Sequence, residues 1–387
     1  MRKFNFLIFC LFILISCSKE KKIENKLFQS INKYQNLLID KEITGSNSFI
    51  LFKDSKVLIN SVVNTNFDQD MEITNKTIFP IWSLTKTFTG IAVMILYEKG
   101  LIDFEDKLST YIPYFKNTMC KNNNGNLFKC KNEITILDLL THRSGYPSSK
   151  KYPARDNIYN DLDKYVKDVS NYPVEFEPGT KYLYGASYDI LGRVIEIVSG
   201  KTFYDFLNEY IFIPLEMNNT KFFISDNERK YFQILHVKDE NERYFTYDLD
   251  QNSYLKEGNG HFGGSGLVST IPDMMKFSEM LLNKGVHNEV EIISTNSFDI
   301  MTKPYTKDNY DNGFYSGWDI GFSLFILNEP LFDGSNAPKG IYRFAGYHNN
   351  HFWIDYENNL YGLFMTRSIP HSKKMIHKLR SIIYDFL

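Results

Sequence analysis

The chain has 387 residues, 43% of them apolar, enough to bury a large core and, at about 150 residues per domain, to build two or three lobes. Its 44 Lys and Arg stand against 46 Asp and Glu, and a net charge of -2 provides no broad basic surface for a phosphate backbone. Composition therefore argues for a globular enzyme or binding protein and against a nucleic-acid partner.

At the start, Arg2 and Lys3 precede the apolar run Phe4 to Ile15, about 12 residues where a hydrocarbon core needs about 20. This reads as an export signal. It ends in Leu14-Ile15-Ser16-Cys17, similar to the lipobox at which bacterial lipoproteins are cut before a Cys that then receives lipid. The expectation is a signal peptide over 1–16, lipidation on Cys17, a solvated Lys/Glu-rich tether to residue 26 and an exported domain over 27–387. That domain would be held by a lipid anchor, facing the periplasm or at the cell surface; an ordinary signal peptide with an incidental Cys17 is the alternative. Cys120 and Cys130 then remain, as two free thiols or as a bridge. A bridge would close a loop of about ten residues and contribute roughly 2 to 3 kcal/mol in an oxidising compartment.

Ser48-Phe49-Ile50-Leu51-Phe52 and Val57-Leu58-Ile59, separated by Asp54-Ser55, predict a hairpin. Near the other end Ile341–Phe344, His351–Ile354 and Tyr361–Met365 read as strands, with Glu357-Asn358-Asn359 as a turn. Lys373 to Phe386 carries Met375, Ile376, Leu379, Ile382 and Ile383 at helical spacing and should cover a sheet face. Between these ends lie helical patterns and irregular polar stretches such as Cys120–Lys131 and Ser148–Asp161. The fold class expected is α/β (α+β): an antiparallel sheet built from both terminal regions, flanked by helices, with a mainly helical lobe inserted over about 100–260 and a cleft between them.

Ser83-Leu84-Thr85-Lys86 is an S-x-x-K tetrad, and five further copies begin at Ser16, Ser18, Ser30, Ser148 and Ser253. Only the Ser83 copy follows a Pro-containing turn and opens a strongly apolar helical run through Phe88, Ile91, Ala92, Ile95 and Leu96. On a helix, i and i+3 share a face, so Lys86 can reach the Ser83 hydroxyl. A helix N-terminus there would favour a developing anion. As a base near neutrality, Lys86 needs its pKa brought from about 10.4 toward about 7, a task mainly for burial. A capping Ser beside a surface Lys is the plainer reading of the tetrad alone.

Context decides between them. Trp82 to Gly90, Leu96-Tyr97-Glu98-Lys99-Gly100 and Ile134 to Gly145 resemble the serine beta-lactamase family, which includes class C beta-lactamases, D-alanyl-D-alanine carboxypeptidases and esterases. Glu177-Pro178-Gly179-Thr180 leading to Tyr184, Gly263 to Thr270, and Phe344-Ala345-Gly346 continue the likeness in order. The resemblance implies Ser83 as nucleophile, Lys86 as its base and Tyr184 as the tyrosine facing it. It also implies an oxyanion hole from the backbone N–H groups of Ser83 and Tyr347, with Phe344, Ala345, Gly346, His348 and Ala186 along the cleft.

Two positions depart from the beta-lactamase pattern. Ala186 stands where an Asn usually holds the substrate amide, and Phe344-Ala345 where Lys-Thr usually meets the substrate carboxylate. The forms Tyr184-Gly185-Ala186 and Phe344-Ala345-Gly346 look more like the esterase branch, and an apolar third motif suits neutral acyl groups. His142 reads as structural, and His348 and His351 as possible cleft residues. No metal motif and no G-x-S-x-G elbow is present, and no cofactor is expected. The function expected is a serine hydrolase acting through an acyl-enzyme on small esters. The rivals are a D-amino-acid peptidase or beta-lactamase, and a non-catalytic binding lipoprotein.

Overall fold

The computed structural model describes residues 2–148, 161–240, 242–246, 254, 260–305 and 317–387, with the backbone alone over 2–20 and at 373. Five helices and nine strands position the site: α1 (Arg2–Asp40), β1 (Asn47–Lys53), β2 (Lys56–Val63), β3 (Ile78–Pro80), α2 (Thr85–Glu98), α3 (Ser187–Ser199), β4 (Val268–Thr270), α4 (Ile271–Leu282), β5 (Trp318–Ile320), β6 (Phe325–Leu327), β7 (Tyr342–Ala345), β8 (His351–Asp355), β9 (Leu360–Thr366) and α5 (Lys373–Tyr384).

The main sheet has seven strands in the order β5-β6-β7-β8-β9-β1-β2, every neighbour antiparallel. The N-terminal hairpin joins the C-terminal strands through the β9–β1 pair, where Phe49 pairs with Phe364 and Ile50 with Leu363. Asp54 and Ser55 link β1 to β2 with φ of 51° and 63°, the left-handed pair that a two-residue hairpin of matching twist requires. Helices cover both faces. Tyr342 donates to the Leu281 carbonyl at 2.8 Å from one face, and from the other Tyr384 donates to Asp355 at 2.8 Å. Because side chains alternate along a strand, Trp353 shares the face of Asp355, where it stacks on Phe49 with ring centroids 5.8 Å apart.

Helix α1 buries Leu27, Ile31 and Leu38 against this layer, and Gln35 donates to the Asn47 side chain at 3.0 Å and the Ser61 carbonyl at 3.1 Å. The stretch read as a tether is thus part of a helix that then docks on the sheet, with the side chains of 21–26 mostly exposed. The side chain of Cys17 lies outside the described residues, and no described helix is long and apolar enough to cross a membrane.

Helices Leu162–Ser170, α3 and Phe203–Leu207 lie in the middle of the chain, with a small sheet in which Leu235–Lys238 pairs with Arg243–Thr246. Cys120–Lys131, expected to be irregular, is a hairpin of Met119–Lys121 and Leu127–Lys129 closed by a Cys120–Cys130 disulfide. The stretch Ser148–Asp161 lies almost wholly outside the described residues.

Candidate active site

Ser83 sits in a 3-10 turn, Trp82–Leu84, that runs directly into α2. It therefore lies one turn before the α-helix rather than on its first residue. The preceding Trp82 has φ of 48°, a left-handed conformation costly for a bulky side chain. Its indole holds that turn by donating to His348 Nδ1 at 2.8 Å and packing edge-on against Tyr347.

From the first turn of α2, Lys86 Nζ donates to Ser83 Oγ at 3.2 Å, the contact that the i, i+3 spacing predicts. Tyr184 O–H donates to the same oxygen at 2.7 Å. Lys86, 3% exposed, is also bonded to the carbonyl of Gly264 and lies 4.7 Å from the Tyr184 ring centroid. Ser83 Oγ thus has two polar partners, each able to take its proton when itself deprotonated.

Three chain crossings bring these groups together. Pairing of β3 with β4, Phe79 opposite Ser269, sets Gly263–Gly266 beside α2, where Thr89 Oγ1 donates to the Gly263 carbonyl at 2.7 Å. Asp189, buried in the first turn of α3, accepts the Gly264 N–H at 2.7 Å. That bond fixes the peptide whose carbonyl meets Lys86. Tyr184 is held by the loop after Leu140: Leu183 N–H donates to the His142 carbonyl at 2.8 Å, and the His142 ring packs 4.6 Å from the Tyr184 ring. A side chain at Gly185 would collide with the backbone of Tyr146 and Pro147, so glycine lets that loop close on the tyrosine. Burial, with the nearby Lys86 charge, holds the His142 pKa well below its ordinary value.

The third motif reaches Ser83 through a tight backbone contact. A side chain at Gly346 would strike the Ile81 carbonyl, and Asn350 Nδ2 donates to the Pro80 carbonyl at 2.9 Å. Sequence reasoning singled out neither Asn350 nor Asp189 for a role. Both are short polar residues whose partners lie far along the chain, and no local pattern marks them. Among the described residues neither the Ser83 nor the Tyr347 amide is used in a backbone hydrogen bond.

A cavity of about 570 Å³ opens on these groups, lined by Ser83, Tyr184 and Phe344 to Tyr347, and further on by β5, β6 and α5. Phe344, Ala345, Gly346 and His351 lie on its wall. His348 and Ala186 do not: His348 is turned into the core as the acceptor for Trp82, and Ala186 is buried under the start of α3. Burial pushes the His348 pKa down to about 3.

A model of the beta-lactamase family matches residues 40–380. The chain belongs to that family. An N-acetylmuramyl-L-alanine amidase of Bacillus subtilis (strain 168) is 27% identical over 304 residues, 74% of this chain. The match spans 66% of that relative's own length, just under two thirds. A protein of Escherichia coli (strain K12) provisionally named as a D-alanyl-D-alanine carboxypeptidase is 25% identical over 327 residues, 79% of this chain and 72% of that protein. The solved structure of EstCE1, described as a hydrolase with promiscuous acyltransferase activity, superposes with a TM-score of 0.80 at 18% identity, covering 93% of this chain and 99% of that one. The antiparallel sheet closed by both chain ends is thus the beta-lactamase fold, and family members are serine hydrolases.

Proposed function

We propose that the chain is an esterase of this family, acting on small carboxylic esters through an acyl-enzyme on Ser83. The observation that carries the reading is the double hydrogen bond to Ser83 Oγ, from Lys86 Nζ at 3.2 Å and Tyr184 O–H at 2.7 Å. Ser83 Oγ attacks the ester carbonyl while its proton passes to Lys86, and the backbone N–H groups of Ser83 and Tyr347 donate to the oxyanion. Collapse breaks the ester C–O bond, and the leaving alkoxide takes a proton through Tyr184. Water then repeats the sequence in reverse and frees the acid. Aromatic Phe344 in the third motif, in place of the usual Lys, favours an ester over a lactam.

Incubation with p-nitrophenyl butyrate, followed by intact mass, tests this. A transient butyryl adduct with nitrophenol release in the wild type, absent from Ser83→Ala, is the expected result; equal release from both removes Ser83 as nucleophile. The likeness to the Escherichia coli protein supports a D-alanyl-D-alanine carboxypeptidase as the second reading. Stable labelling by a fluorescent penicillin without ester turnover would favour it. The same proposal sets the chain outside the cytoplasm on a lipid at Cys17, supported by the short apolar run before it. Metabolic labelling with an alkyne fatty acid, lost in Cys17→Ala, checks that.

A further inference from the structure

In the esterase reading Tyr347 gives the oxyanion hole only a backbone N–H, which any residue but proline can give. Its side chain is nevertheless aromatic and 55% exposed, and it lines the mouth of the cavity with Ser83. An exposed tyrosine ordinarily turns freely, yet this ring is held by two neighbours. Trp82 meets it edge-on with centroids 5.5 Å apart, and His348 lies at 5.5 Å, tilted by 40°. Those two are locked to each other by the 2.8 Å bond from the Trp82 indole to His348 Nδ1, and Trp82 keeps its place at a φ of 48°, unfavourable for a bulky residue. The inner wall differs: Phe344, 3% exposed, stacks on Phe325 with centroids 5.5 Å apart. One ring is packed away and the other is presented to solvent on a rigid support. Such a support suits a preorganised contact surface, because little freedom is then lost on binding.

We infer that the Tyr347 ring is a platform for the alcohol half of the ester and selects alcohols that carry a flat aromatic ring. The inference rests on the esterase reading and assigns the side of the site that the acyl group does not use. In the acyl-enzyme the acyl group stays bonded to Ser83 while the alcohol departs and water takes its place. The alcohol therefore lies toward solvent, where Tyr347 is, and the acyl group toward the enclosed wall at Phe344. Aromatic rings carry a negative face and a positive edge, so they attract one another in offset or edge-on contacts, and a saturated ring of the same size does not share that attraction.

The test separates the two claims. Benzyl acetate and cyclohexylmethyl acetate share the acetyl group and a primary alcohol, and differ in a flat against a puckered ring. Both are titrated by saturation-transfer NMR into the full chain carrying Ser83→Ala, in which turnover plays no part. Benzyl acetate is expected to bind about three- to tenfold tighter, the range that an aromatic pair supplies. Adding Tyr347→Phe should keep that preference, and adding Tyr347→Leu should bring the two esters to within about 1.5-fold of each other. Equal binding of the two esters, no binding of either at millimolar concentration, a preference that survives Tyr347→Leu, or one lost in Tyr347→Phe as well overturns the platform. A merely structural role for the ring would shift both esters together and leave their ratio alone. Separately, the wild type is given each ester and acetate release is followed. Release from neither sinks the esterase reading alone, while the titration still decides the platform.

Discussion

Around Ser83 the polar groups satisfy one another: Lys86, Tyr184, the Gly264 carbonyl and Asp189 form a connected set. Where α5 meets β7, in the same cavity, the described lining holds Arg343, Lys374, Arg380 and Asp333, and Arg380 Nη2 donates to Asp333 at 2.9 Å. The first region is complete without substrate, as expected of groups preorganised for a reaction common to a family. The second is set by the side chains that happen to line it, and there relatives sharing one reaction can differ.

Substitutions at the satisfied end should cost most. Ser83→Ala is expected to lower kcat for p-nitrophenyl butyrate by roughly 10⁴-fold or more, and Lys86→Ala by a similar factor, because a nucleophile and its base act as one unit. If Lys86→Ala retains most activity, Tyr184 is the base. Tyr184→Phe, which keeps the ring against His142 and removes the hydroxyl, should lower kcat by about 10²- to 10⁴-fold.

Asp189 sharpens the same contrast, because it holds the Gly264 peptide whose carbonyl meets Lys86. Asp189→Asn keeps an acceptor for the Gly264 N–H while removing a buried negative charge that favours the ammonium form of Lys86. The acid limb of the kcat/KM profile should therefore move to lower pH, with kcat reduced by about tenfold or less. An unmoved limb would make Asp189 a packing residue only.

These residues were unequally legible in the sequence. The Ser83–Lys86 contact is local, fixed by helical geometry, and readable from spacing. Both hairpin strands and the three C-terminal ones alternate or run apolar, and their observed limits fall within a few residues of those expected. By contrast, β5 and β6 are three residues each, too short to show a period. Arg343, Lys374 and Arg380 are scattered cations in a chain with 44 Lys and Arg, and only the packing of α5 beside β7 turns them into one wall. His348 misled for the same reason: nearness in sequence to the third motif set it at the cleft, while the turn after Gly346 directs it inward to Trp82.

Away from the cavity the expected effects are on stability. Cys120 and Cys130 close a ten-residue separation, and the loop entropy they remove from the unfolded chain is worth about 3 kcal/mol. Cys130→Ala should lower the denaturation free energy by about that amount and leave kcat within about twofold, since neither cysteine lines the cavity. A large loss of kcat at unchanged stability would instead tie the hairpin to the site.

The smallest effect concerns the turn under the nucleophile. His348 is neutral in the fold, with its pKa lowered to about 3 by burial, and its Nδ1 must stay unprotonated to accept from Trp82. The unfolded chain binds a proton here near its ordinary value of 6.5, so below that pH the unfolded state takes up more protons than the fold. The stability this residue contributes is full above pH 6.5 and is lost progressively as pH falls toward 3. Between pH 6.5 and 5 the loss is about 2 kcal/mol at 1.36 kcal/mol per unit. His348→Gln keeps an acceptor for the indole without the titration, so its urea midpoint should fall less than the wild type's over that interval. Parallel curves would mean that the imidazole is charged in the fold, with Trp82 held at φ of 48° by its ring packing instead.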